Sequence, residues 1–214
     1  MESSTYIHVG AATLALVAGA VALCARKGAK AHKQSGYVFV ASMIVMAIPA
    51  GLVSYTTGKP FDVLSSILTC YMVLTGLLAF RMSAKRASIA LMSLAGLCIS
   101  GYVAVEIGTI VTDVRDTDAP VGAGYVFATI LGLALWGDFR GLSQSLSPQQ
   151  VRIRHLWRMS FGLFMATGNL FGVRPHLFPD WMQDSGVLVL LAIAPLLVMV
   201  YWRFRLRPQT LTDV

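Results

Sequence analysis

The sequence predicts an all-α fold, a bundle of seven transmembrane helices with the N-terminus outside and the C-terminus in the cytoplasm. Three observations predict it. Of 214 residues, 56% are hydrophobic and 13% charged, against about 25% charged in a soluble domain. The apolar residues fall into seven segments separated by short polar gaps. Fourteen of the seventeen Lys and Arg residues lie in alternate gaps. The composition cannot supply a soluble surface, so lipid must cover most of the chain.

A helix needs about 20 residues to cross the hydrocarbon. The first span covers residues 6–25. It is preceded by Met-Glu-Ser-Ser and followed by Arg26, Lys27, Lys30 and Lys33. That order is the reverse of a signal peptide, so a retained helix is expected. Ala11, Ala15 and Gly19 make a small-residue stripe on it, suited to close helix packing. The second span, residues 37–55, contains Pro49 and ends in Thr56-Thr57-Gly58-Lys59-Pro60. The third and fourth cover residues 61–80 and 87–111. The fifth, residues 121–139, follows Asp118-Ala119-Pro120. The sixth, residues 159–173, is preceded by turn chemistry at Ser147-Pro148 and a basic stretch. It carries Gly168 and Gly172 and ends before Arg174-Pro175. The seventh, residues 186–202, contains Pro195. Both internal prolines should kink their helices. No gap is long enough for a soluble domain, so residues 1–214 read as one integral membrane domain.

The basic residues orient this bundle. Arg26, Lys27, Lys30 and Lys33 occupy the first gap. Arg81, Lys85 and Arg86 occupy the third, and Arg140, Arg152, Arg154 and Arg158 the fifth. Arg203, Arg205 and Arg207 follow the last span. The remaining gaps hold only Lys59, Arg115 and Arg174. Cytoplasmic loops are enriched in Lys and Arg, which places the N-terminus outside. The sixth span is the shortest. If it failed to cross, the split would fall from fourteen against three to twelve against five. Trp136, Trp157 and Trp202 near cytoplasmic ends, and Trp181 near an outer end, suit the same orientation.

Several classes are excluded. The net charge of +7 is spread through short gaps, so no basic face for nucleic acid is expected. Cys24, Cys70 and Cys98 lie in apolar segments without a Cys-x-x-Cys or Cys/His cluster, and no metal site of that kind is read. The last span has no Lys for a retinal Schiff base. No phosphate loop or nucleophile elbow occurs, and no catalytic residue is assigned. Met43 and Met46 read as packing residues. Gly36-Tyr37-Val38-Phe39 and Gly124-Tyr125-Val126-Phe127 echo each other 88 residues apart. Such an offset would suit an inverted repeat, though four residues in an apolar chain arise readily by coincidence.

The residues with chemistry sort by side. His8 and His176 lie toward the outside, His32 and His155 toward the cytoplasm. Imidazole ligates haem and other metals, so two pairs near opposite faces would suit a protein carrying electrons across the membrane. Against this, helical rise puts His155 and His176 about 31 Å apart if one helix joins them, and His32 sits among bases that also suit lipid phosphates. Glu106 is the one acidic residue read as lying well inside a span, and an intramembrane carboxyl is a functional candidate by default. Asp62, Asn169 and Arg174 share its outer side, with His8 and His176. Converging, they would form a pocket for a proton, a quinone head or another small molecule. The Val151-Arg152-Ile153-Arg154-His155-Leu156-Trp157 stretch mixes apolar and basic positions, as at an interface with anionic lipid on the cytoplasmic face.

His32-Lys33 followed by Gly36-Tyr37, together with the later His155-Leu156-Trp157-Arg158-Met159, resembles an uncharacterised family of bacterial multi-span predicted membrane proteins. Its members carry an H-R-x-x-G loop and a late H-x-x-W-M element. Lys33 stands where the family has Arg, and the Trp and Met spacings differ slightly. The resemblance implies the bacterial inner membrane and supplies no reaction. The leading functional expectation is a membrane redox protein holding haem b through some of His8, His32, His155 and His176, with Glu106 assisting proton transfer. Two alternatives stand beside it. One is a small proton-coupled transporter using Glu106, Asp62 and His8. The other is a non-catalytic scaffold or assembly factor. The sequence sets neither an enzymatic activity nor an oligomeric state.

Overall fold

Wherever the apolar segments run uninterrupted they form helices, and the described residues contain no strand. The computed structural model describes residues 2–80, 85–112, 122–143 and 146–205. Arg81, Arg115, Arg207 and the acidic set Asp113, Asp116 and Asp118 lie outside them. The elements are α1 (Glu2–Cys24), α2 (Lys30–Thr56), α3 (Pro60–Leu78), α4 (Lys85–Thr112), α5 (Ala123–Ser143), α6 (Pro148–Thr167), the short α7 (Asp180–Asp184) and α8 (Val187–Arg205). Five of them, α1, α2, α3, α4 and α8, are long and apolar enough to cross a membrane. The turns after α1 and α2 pass through Gly28 and Gly58 at φ +81° and +69°, where a side chain would be strained.

The region of the sixth span is built differently from its sequence reading. Ser147 and Gln150 form a capping box. The Ser147 side chain accepts from the Gln150 N–H at 3.3 Å, and the Gln150 side chain accepts from the Ser147 N–H at 2.8 Å. With Pro148 in the first turn, these bonds start the helix at Pro148 rather than Met159. Arg152, Arg154, His155 and Arg158 are therefore residues of α6 itself, ahead of the stretch expected to span. At its other end α6 passes into a π turn, Gly168–Gly172, closed by the Val173 N–H donating to the Gly168 carbonyl at 3.2 Å. A methyl group built at Gly172 would meet nothing within 4 Å, so Gly168 and Gly172 make no packing stripe. The α1 stripe does pack. Ala15 is fully buried, and a Cβ at Gly19 would come within 2.7 Å of Leu163.

Helix α3 is the hub, packing against α2, α4 and α6. Its Leu68, Tyr71 and Met72 join Cys98, Tyr102, Leu131 and Phe161 in one core. Its Val73 joins Ala15, Phe39, Met43 and Leu163 in the other. The perimeter is apolar too, with Leu14, Val17, Leu52, Leu97, Leu133 and Val189 exposed, as lipid-facing helices require. Lys27, just past α1, places its ammonium 5.0 Å from the Trp202 ring near the end of α8. The ends of α1 and α8 therefore lie at the same end of the bundle.

Candidate functional site

At that end α2, α3 and α6 bring two histidines together. His32 stands in the first turn of α2, and His155 two turns into α6. Their rings are 6.3 Å apart between centroids, at 74° to one another. The Nδ1 of His32 lies 2.9 Å from the Ala22 carbonyl, and that of His155 lies 2.9 Å from the Gly76 carbonyl. A carbonyl only accepts, so each Nδ1 must carry and donate the proton. In the neutral rings both Nε2 atoms then keep their lone pairs. Phe80 packs 5.0 Å from the His155 ring.

Burial favours the neutral form of His155. His155 lies ahead of the apolar stretch 159–173. Burial pushes its pKa down, the Gly76 hydrogen bond opposes this, and His32 and Lys27 add to the depression. Lys27, in the loop between α1 and α2, is lowered by burial. It donates to the Ala22 and Leu23 carbonyls at 3.1 and 2.5 Å, capping the end of α1.

Beneath the histidines lies an ion cluster that sequence reasoning missed. Asp138 of α5 is 2% exposed and Arg158 of α6 is 0% exposed. Arg158 donates to Asp138 Oδ1 at 2.7 Å and to the Ala134 carbonyl at 2.8 Å. Arg154 pairs with the same carboxylate oxygen, and the Tyr71 hydroxyl of α3 donates to the other. Glu106 is therefore not the one buried acid. Asp138 looked like the end of a span because α5 was read as stopping at residue 139, whereas it continues to Ser143. The usable signal was its isolation: no other Asp or Glu occurs between Asp118 and Asp180, and a buried carboxylate needs a cation.

The residues expected on the outer side are placed separately. His8 Nδ1 lies 3.0 Å from the Met46 carbonyl of α2. Buried Glu106 accepts from the Gly124 N–H of α5 at 2.9 Å. His8 and Glu106 thus turn to different helix pairs. Asp62, Asn169, Arg174 and His176 are exposed, and His176 sits in a 3-10 turn, Pro175–Leu177. Among the described residues His8 and His176 make no ring contact with one another. The Gly-Tyr-Val-Phe echo has no common structural role either. Gly124 is occupied by Glu106, whereas a Cβ at Gly36 would meet nothing within 4 Å. No family model, curated protein or solved structure matches the chain.

Proposed function

We propose that this chain is a multi-pass inner-membrane redox protein holding one haem-type metal centre between His32 and His155, at the cytoplasmic end of a seven-span bundle with its N-terminus outside. The observation that carries this reading is the 6.3 Å ring separation with both Nδ1 atoms committed to backbone carbonyls. Metal-bound imidazoles typically donate their second nitrogen in this way, which fixes tautomer and orientation. With both Nδ1 atoms so committed, His32 and His155 would hold the metal through Nε2. Among the described residues no three His, Cys, Asp or Glu side chains cluster as a metal site. Two protein ligands suit a tetrapyrrole iron, because the macrocycle supplies the other four.

The chain's own residues would do four things. His32 and His155 would ligate. The Ala22 and Gly76 carbonyls would hold the rings in register. Burial would keep His155 deprotonated. Lys27 would place a positive charge beside the centre, favouring its reduced state. Electrons would pass between a cytoplasmic donor and a membrane acceptor of the quinone class. The Lys27–Trp202 contact supports an odd number of crossings, as the seven-span orientation needs. A carrier built on Glu106, Asp62, Asn169, Arg174 and His8 has less support, because Glu106 turns to α5 and His8 to α2. The test is iron and haem content of protein purified from haem-replete membranes. About one haem per chain is expected, and its loss in His32→Ala or His155→Ala. Equal haem content in both variants and the parent would overturn the assignment.

A further inference from the structure

We propose that Arg154 and Arg158 form a binding site for one oxyanion of the phosphate type, reached from the cytoplasmic end of the bundle and distinct from the histidine pair. Two guanidinium groups meet one carboxylate here. Asp138 already takes Tyr71 on one oxygen and both arginines on the other. Three further nitrogens, Arg158 Nε, Arg158 Nη1 and Arg154 Nε, are buried without an acceptor among the described residues. The cluster thus carries one excess positive charge and several unmet N–H donors, in an interior where either is costly.

The ligand that answers both is an anion with several acceptor oxygens. A tetrahedral phosphate group can accept from two guanidinium groups at once, and guanidinium is the cation best shaped for it. Access is graded. Arg158 is sealed, while Arg154 keeps 17% of its side chain exposed. Gly141 on α5 has no side chain where a Cβ would stand 2.6 Å from Arg154 Nη1, leaving room for that guanidinium at the mouth. The Arg158 side chain also lies 5.6 Å from the Tyr71 ring and 5.5 Å from the Trp157 ring. These stacked faces hold its edge in place as a preformed donor. The same phosphate chemistry is offered by a lipid headgroup at the adjacent interface and by free cytoplasmic phosphate.

The test uses the full chain in detergent, delipidated to below one phosphorus per chain. Its thermal midpoint is followed against inorganic phosphate, and separately against short-chain phosphatidylglycerol, at constant ionic strength. A saturable rise with phosphate supports the free anion as source, and a rise with the lipid alone supports the headgroup. Arg154→Gln keeps the Asp138–Arg158 pair and should fold, but bind about tenfold more weakly. Asp138→Asn removes the competing carboxylate and should bind more tightly, a gain that a purely structural ion cluster would not produce. Neither ligand shifting the midpoint, or equal shifts in wild type and Arg154→Gln, would overturn the site.

Discussion

Three donors converge on Asp138, and its removal should be strongly felt. Asp138→Ala would leave Arg158 charged, wholly buried and without its partner. Breaking a buried pair in this way costs about 3–5 kcal/mol, so chemical unfolding in detergent should show a loss of that size. A loss under about 1 kcal/mol would place the cluster in a solvated setting. His155 gives a second residue-scale prediction. Its pKa in the folded protein lies below the ordinary 6.5, chiefly through burial. As pH falls through 6.5 the unfolded chain takes up the proton first, so stability declines, and the decline stops once the folded ring is protonated. In metal-free protein, stability should therefore fall as pH drops below the ordinary 6.5, and His155→Phe should flatten that fall. An unchanged slope in the variant would assign the pH dependence to other groups.

Legibility differed between elements for a physical reason. Helices α1 to α4 and α8 are runs of apolar residues long enough to announce themselves, and the small-residue stripe of Ala11, Ala15 and Gly19 does pack within the chain. Helices α5 and α6 turn Asp138, Arg154 and Arg158 inward, while Arg140 and Arg152 stay exposed. A reading that keeps Lys and Arg out of a span cuts α5 at 139, before Arg140, and delays α6 to 159, after Arg158. The pairing of Asp138 with Arg154 and Arg158, which lets those charges lie inside the helices, is a tertiary fact. The pairing of His32 with His155 was half legible, since charge placed both on one face but could not bring α2 to α6. The capping box was readable as Ser147-x-x-Gln150, but the same residues also fit a turn. Ser147→Ala should lower stability by about 1 kcal/mol, measured by the same unfolding assay, with no change in helix content away from the start of α6. Gly124→Ala should act across elements, because its Cβ would collide with the Glu106 side chain. It should separate α4 from α5 and lower the thermal midpoint. A neutral outcome would mean that Glu106 rotates away at no cost.

At the scale of the molecule, the polar residues divide by end, and the end that carries Lys27 and Trp202 is the organised one. Lys27, His32, Gly76, His155 and Trp202 meet there in one contiguous group, with the Asp138 cluster beneath it. His8 and Glu106 turn to separate helix pairs. The proposed topology, with the histidine pair on the cytoplasmic side, rests on the basic gaps. A cysteine placed at Lys59 in a Cys-free chain should react with an impermeant thiol reagent from outside intact cells. One placed at Arg26 should react only in inside-out vesicles. The reverse pattern would invert the bundle and move the histidine pair to the outer face. The central claim, that His32 and His155 share one metal centre, is tested most directly by the visible spectrum of the reduced protein purified from haem-replete membranes. The account predicts the sharp Soret and α bands of an iron with two imidazole ligands, lost in His32→Ala and in His155→Ala and kept in His8→Ala and His176→Ala. A colourless protein, or bands that survive both cytoplasmic substitutions, would contradict it.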